Sequence, residues 1–274
     1  MSDYQHIRVE PISTALGAVI HGIDCRSDLP NSVVDEIRKA WLEHLVVFFQ
    51  GQDLEPGEQL AFARRFGLPV KYPMLEGLSE FPEVVRVVKL SHEKNNFGGI
   101  WHSDTTYLEQ PPIGALLLAR EVPEVGGDTL FANMYLAYET LSTGLKNMLG
   151  RLIVVQSSAK AGASRSREDR LSDVSAVAEQ VLEAEHPVVQ THPETGRKTL
   201  FVNYGHSIRF KNMTEAESKP LLDYLFAHQT RSEFTCRFQW AAGSMAMWDN
   251  RCTQHNPIND YHGFKRVMHR ISIN

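Results

Sequence analysis

The chain has 274 residues, 42% of them hydrophobic, a formal net charge of −5 and a pI near 6.2. That length and apolar content are enough to bury a sizeable core, as one large domain or two small ones, while the acidic balance gives no bulk attraction to nucleic acid or to an anionic membrane surface. Cys25, Cys236 and Cys252 are odd in number, far apart and without CxxC spacing, which argues against a disulfide framework or a zinc ribbon. The opening MSDYQHIRVEPIS has no apolar signal core and the apolar runs are only strand-sized, so a cytoplasmic protein with no membrane or nucleic-acid partner is expected.

Taken in chain order, the pattern predicts a helix over 32–44, where Ser32 and Asp35 have capping-box spacing, and a strand over 45–49 (LVVFF). A helix over 56–66 and strands over 84–89 (VVRVVK) and 115–119 (ALLLA) follow, then a helix over 133–149 and a strand over 151–156. Residues 157–180 are rich in Ser, Ala, Arg and Glu and poor in large apolar side chains, which reads as a mobile excursion: a solvated surface loop or a lid over substrate. Strands over 186–191 and 199–203, a helix over 214–228 with a Thr214–Glu217 capping box, and strands over 234–240, 244–248 and 267–273 complete the chain. Many short strands with few helices predict a mostly β sandwich or barrel with helical decoration.

Within IWHSDTTYLEQPP (100–112), His102 and Asp104 stand two residues apart. On a helix they would point to nearly opposite sides, but on an extended segment they share a face and can offer an imidazole nitrogen and a carboxylate oxygen to one point. Two ligands are too few for tight metal binding. His255, in MAMWDNRCTQHNP, follows a probable strand and precedes Asn256-Pro257, and it is the best third donor. Two histidines and a carboxylate are the facial set of non-haem Fe(II) oxygenases, whose other positions stay open for cosubstrate and O2. The rival histidines have plain settings: His192 in a Pro turn, His228 near a helix end, and His6, His21 and His44 in terminal or capped segments.

In the last strand, KRVMHRISIN, the residues Val267, His269, Ile271 and Ile273 alternate onto one face, and Arg266, Met268, Arg270 and Ser272 onto the other. The second face is either an outward polar surface or a pair of arginines reaching into a barrel mouth, where a guanidinium fork takes a carboxylate through two hydrogen bonds.

Together, WHSDTTY (101–107), GGDT (126–129), WDNRCTQH (248–255) and RVMHR (266–270) strongly resemble the taurine dioxygenase (TauD/TfdA) family of Fe(II)- and 2-oxoglutarate-dependent dioxygenases, over nearly the whole chain from about Val9 to Ile273. The resemblance implies a double-stranded β-helix, or jelly-roll, core in a single catalytic domain spanning 1–274. It implies Fe(II) on His102, Asp104 and His255, the distal carboxylate of 2-oxoglutarate on Thr129 and Arg266, and the anionic end of the substrate facing Arg270. Three protein ligands then leave three positions, two for 2-oxoglutarate and one for O2. The implied reaction hydroxylates a C–H bond of a small anionic sulfonate, sulfate ester or aryloxyalkanoate and forms succinate and CO2. A homodimer or homotetramer is also implied by the resemblance.

The chain departs from taurine-specific members where substrate is chosen: Met74 follows YP where those enzymes carry His, His206 follows VNYG where they carry an aromatic, and NNFGGI (95–100) lacks the polar residues expected to contact an amine. Two readings from other classes stay open, a non-catalytic jelly-roll metal- or ligand-binding protein and a zinc hydrolase on the same triad. The zinc reading lacks the His-Glu-x-x-His helix or cysteine ligands that would serve it better.

Overall fold

Runs such as LVVFF, ALLLA and MAMW carry no polar face because their strands are covered on both sides. The computed structural model describes residues 4–73, 75–160 and 181–274. In chain order these form β1 (Arg8–Pro11), β2 (Ala18–His21), α1 (Asn31–His44), β3 (Val46–Phe49), α2 (Pro56–Ala63), β4 (Pro69–Val70), β5 (Val85–Lys89), β6 (Gly114–Glu121), β7 (Thr129–Asn133), α3 (Met134–Glu139) and α4 (Thr143–Leu149). Then come β8 (Ile153–Ser157), β9 (Glu183–Pro187), β10 (Val189–Thr191), β11 (Lys198–Leu200), β12 (Ser207–Phe210), α5 (Glu215–Gln229), β13 (Thr235–Phe238), β14 (Met245–Asp249), β15 (Thr253–Pro257) and β16 (Arg266–Ile273).

The larger sheet runs β1-β2-β3-β14-β6-β16-β4, with β5 also paired to β16. The sheet β13-β7-β15 packs against it, and a second small sheet, β12-β8-β9, and the hairpin β10-β11 complete the strands. Side chains alternate across the larger sheet as a pleated strand requires. From β14, Met245 and Met247 pack with Ile37 and Trp41 of α1 and Leu60 and Phe62 of α2, while Ala246 and Trp248 turn inward against Phe131 of β7 and Phe238 of β13. A third apolar layer joins the small sheets to α3 and α5 through Ala137, Val154, Leu200, Leu222 and Leu225. The result is the expected mostly β jelly roll, with helices on its outer faces.

The face division expected for the last strand holds: on β16, Ile271 and Ile273 pack toward the helices and Met268 packs inward. The whole strand is buried. Arg266 and Arg270 therefore look into the space between the sheets, not out to water.

Several boundaries differ from expectation. The first helix starts at Asn31 behind Pro30 with no side-chain cap, so Ser32 and Asp35 form no capping box. Glu217 and Thr214 do form theirs, through Thr214 N to Glu217 Oε2 (2.7 Å) and Glu217 N to Thr214 Oγ1 (3.2 Å). The helix expected over 133–149 is two: Asn133 caps α3 by accepting from the amides of Tyr135 and Leu136, and Ser142 caps α4 by accepting from that of Leu145. The strand expected over 186–191 breaks at Val188 into β9 and β10. Strands β1, β2, β4, β7, β12 and β15 were not anticipated. Of the segment expected to form a loop or lid, Ser157 ends β8 and Lys160 donates to the Ser207 carbonyl at 2.6 Å; residues 161–180, and Met74, lie outside the described residues.

Candidate active site

His102 sits in an extended stretch whose backbone pairs with β15: His102 N donates to His255 O (3.1 Å) and His255 N to His102 O (2.9 Å). This exchange sets the two imidazoles side by side, with ring centroids 4.2 Å apart. The extended backbone also turns Asp104 onto the face of His102, as the alternation argument expects. Asn250 then fixes that residue, accepting from Asp104 N (2.6 Å) while its amide donates to Asp104 O and Pro112 O (3.0 Å each).

The Asp104 carboxylate, 1% exposed, divides its oxygens. Oδ2 accepts from Trp248 Nε1 (3.1 Å) and lies 2.7 Å from Arg270 Nη2. Oδ1 has no hydrogen-bond partner and faces His102 Nε2 at 3.6 Å and His255 Nε2 at 3.7 Å. His102 Nδ1 is 2.7 Å from the Ile100 carbonyl, which can only accept, so Nδ1 carries the proton and Nε2 presents a lone pair. Burial lowers the proton affinity of both imidazoles, and it favours the neutral form of Asp104 too, but the Arg270 guanidinium and the two imidazoles together keep the carboxyl below its usual range. Three ligand atoms lie buried within 4.8 Å of one another, and the His102 lone pair and the Asp104 carboxylate oxygen that face each other without a hydrogen bond would repel. A divalent cation removes that repulsion, and the donor set, two imidazoles and one carboxylate, suits Fe(II).

A second cluster of the same residue types, His192, Asp249 and Cys252, is built differently. His192 Nδ1 accepts from the amides of Glu194 and Thr195, its Nε2 pairs with Asp249 Oδ2 at 2.9 Å, and Arg251 holds both Asp249 oxygens (Nε 2.8 Å, Nη2 2.6 Å). Burial pushes the Cys252 thiol up. Its lone pairs are spent, so this cluster braces the β14–β15 turn and leaves nothing for an ion.

The His102 and His255 imidazoles open on a cavity that Thr129, Arg266 and Arg270 also line. Arg266 is 6% exposed, and its Nε and Nη2 have no hydrogen-bond partner among the described residues. A buried guanidinium with two spare donors on one side is a receptor for a carboxylate. Gly126 and Gly127 (φ 86° and 72°) make the turn into β7, and a side chain on Gly127 would approach the Tyr261 ring at 3.2 Å and Arg266 Cδ at 3.5 Å. Arg270 lies over the Tyr72 and Trp248 rings, 5.1 and 5.8 Å from their centroids. Its Nη2 is taken up by the 2.7 Å ion pair with Asp104 Oδ2, and its Nε has no hydrogen-bond partner among the described residues.

The structure thus brings His102, His255, Thr129, Arg266 and Arg270 to one cavity, with Asp104 behind the two imidazoles and beside Arg270. Trp101 packs instead with the apolar layer beneath α3 and α5. His206 is buried beside the site, its ring 6.1 Å from that of His102 and 5.0 Å from that of Tyr107, and burial pushes it down to about 3. Sequence reasoning missed Asn250, the Trp248 bond to Asp104, Tyr72, Trp240 and Tyr261. Asn250 and Trp248 stood inside the WDNRCTQH motif, but the others lie in stretches with no metal-site pattern.

The family model described as "Taurine catabolism dioxygenase TauD, TfdA family" matches residues 8–272. The chain belongs to that family. It is a 2-oxoglutarate-dependent dioxygenase, an oxidoreductase that uses Fe(II), 2-oxoglutarate and O2. It is 37% identical to an alkylsulfatase of Acinetobacter baylyi, covering 98% of this chain and 85% of that protein. It is 33% identical to an alpha-ketoglutarate-dependent sulfate ester dioxygenase of Pseudomonas putida, covering 97% and 88%. The crystal structure of a taurine dioxygenase from Burkholderia xenovorans superposes with a TM-score of 0.84 at 35% identity, covering 98% of this chain and 89% of that one.

Proposed function

We propose that this dioxygenase hydroxylates the carbon next to the anionic group of an apolar alkyl sulfate ester or sulfonate, with His102, Asp104 and His255 holding Fe(II), Thr129 and Arg266 holding the distal carboxylate of 2-oxoglutarate, and Arg270 facing the substrate anion. The observation that carries the reading is the buried Arg266 guanidinium, whose Nε and Nη2 have no hydrogen-bond partner among the described residues, in the same cavity as His102 and His255. A zinc hydrolase or a passive metal store needs the triad but has no use for a second, carboxylate-shaped receptor beside it. When bound, Fe(II) and 2-oxoglutarate supply with O2 the oxidant that removes hydrogen from a C–H bond, and 2-oxoglutarate leaves as succinate and CO2.

The chain's own groups do the rest. Trp248 and Arg270 hold Asp104 Oδ2 so that Oδ1 faces the metal position, Ile100 O holds the tautomer of His102, and Val87, Phe97, Leu117 and Phe131 keep the cavity apolar and restrict water. None of the described residues lining the cavity is a carboxylate, and Asp104 behind the two imidazoles is already paired with Arg270, so a substrate ammonium would find no free counter-charge there; this supports an alkyl chain over taurine. Hydroxylation beside an ester oxygen gives an adduct that splits into a carbonyl compound and sulfate.

The proposal includes one catalytic domain, working in the cytoplasm, where its three free cysteines fit a reducing medium. No helix among the described residues is long and apolar enough to cross a membrane. Assembly as a homodimer or homotetramer is proposed from the family resemblance, and light scattering on the purified protein checks it.

The test is succinate release over a panel of alkyl sulfates, alkyl sulfonates, taurine, aryloxyalkanoates and neutral ester analogues, with Arg270→Ala assayed beside the wild type. Anionic alkyl substrates should be preferred, and kcat/KM for the best should fall about ten- to several-hundredfold in the variant, as loss of a charged hydrogen bond predicts. Equal turnover of neutral analogues by the wild type would overturn the assignment of Arg270.

A further inference from the structure

Trp240 stands two residues beyond β13, 4% exposed, with its ring edge-on to Phe238 at 5.0 Å. Packing alone would account for the ring but not for its nitrogen. Nε1–H donates to Thr129 Oγ1 at 3.0 Å, and the Arg266 guanidinium lies 5.6 Å from the centre of the same ring, within cation–π range. Trp240 thus touches both residues assigned to the 2-oxoglutarate carboxylate.

An indole nitrogen can only donate, whereas a threonine hydroxyl has one hydrogen and can turn it. Once Oγ1 accepts from Trp240, its own hydrogen must point elsewhere. Among the described residues Thr129 Oγ1 makes no other hydrogen bond, and it lines the cavity beside Arg266. We propose that Trp240 is a positioning residue for 2-oxoglutarate: its indole N–H sets the Thr129 hydroxyl as a donor to the carboxylate that Arg266 pairs with, while its ring face supports the guanidinium. The inference rests on the proposed placement of 2-oxoglutarate on Thr129 and Arg266. It adds that the receptor is oriented before the ligand arrives, so less freedom is lost on binding.

The test is a double-mutant cycle on 2-oxoglutarate affinity, read from the visible charge-transfer band of the Fe(II)-loaded full chain titrated without O2. Trp240→Phe keeps the aromatic face and removes the N–H; Thr129→Val keeps the shape and removes the hydroxyl. In the Thr129 background, Trp240→Phe should raise the dissociation constant about 3- to 10-fold, the range for one hydrogen bond, with Fe(II) content and melting temperature nearly unchanged. In the Thr129→Val background the same change should have little further effect, because the group it acts through is gone. An equal factor in both backgrounds, or no change in either, would overturn the proposal. Wild-type protein that binds Fe(II) but gives no band with 2-oxoglutarate would overturn the placement it rests on, and the proposal with it. Should Trp240→Phe fail to fold, the indole N–H proton resonance that moves between wild type and Thr129→Val belongs to Trp240. In the Zn(II)-substituted proteins 2-oxoglutarate should shift it in wild type and leave it still in Thr129→Val; equal shifts would contradict the coupling.

Discussion

Asp104 gives one oxygen to the protein and keeps the other for a cation. Trp248 and Arg270 occupy Oδ2, Asn250 locks the backbone on either side of the residue, and Oδ1 is left facing the Nε2 atoms of two imidazoles. If that arrangement is the metal site, Asp104→Ala leaves two neutral imidazoles, which hold Fe(II) poorly. After anaerobic loading and desalting the variant should carry almost no iron, whereas the wild type keeps one equivalent; an iron-replete, active variant would place the carboxylate ligand elsewhere. His-x-Asp was readable in the sequence because extended geometry makes i and i+2 coincide. Asn250 was not, since an amide that acts through two backbone groups leaves no ligand pattern in the chain.

Strand β16 carries the site on one face and the helix packing on the other. Inward are Arg266 and Arg270; outward, His269 lies in the α2 face, its carbonyl accepting from Gln59 Nε2 at 3.1 Å. Burial, with Arg120 and Arg86 nearby, pushes His269 down to about 4. An unfolded imidazole titrates near 6.5, so as pH falls the unfolded chain takes up the proton first, and stability is lost from about pH 6.5 down towards pH 4. By pH 5 this one group should cost about 1–2 kcal/mol. Melting curves of metal-free wild type and His269→Gln at pH 7 and pH 5 check it: the variant should lose less on acidification, and parallel losses would show that His269 does not drive the change. The alternation that divides this strand was legible because the period of two persists for eight residues. Polar strands were hidden: β7 begins inside GGDT and β15 reads TQHNP, where buried side chains are polar because they serve the site or its hydrogen bonds. The break between α3 and α4 was lost for a related reason, as Ser142 caps without interrupting an apolar periodicity.

At the scale of the whole molecule, helices α1 and α2 cover one face of the larger sheet, and the sheet β13-β7-β15 packs against the other. The inward face holds a stacked aromatic core in which the Phe48 and Phe238 rings lie 3.9 Å apart, next to the site. This covering explains the unbroken apolar strands and a cavity able to keep two arginines out of water. The architecture was readable from many short strands and few helices, but strand order was not, because neighbours such as β3, β14 and β6 are far apart in the chain. In the proposed function this cavity receives 2-oxoglutarate on an iron held by His102, Asp104 and His255, with Arg266 as the carboxylate's partner. The most direct measurement is an anaerobic titration of the Fe(II)-loaded protein with 2-oxoglutarate, following the charge-transfer band in wild type and Arg266→Ala. The account predicts a saturable band in wild type and, in the variant, full iron content with a dissociation constant raised about 10- to 150-fold, as loss of a charge-assisted pair implies. An unchanged constant in Arg266→Ala, or no band in an iron-replete wild type, would contradict it.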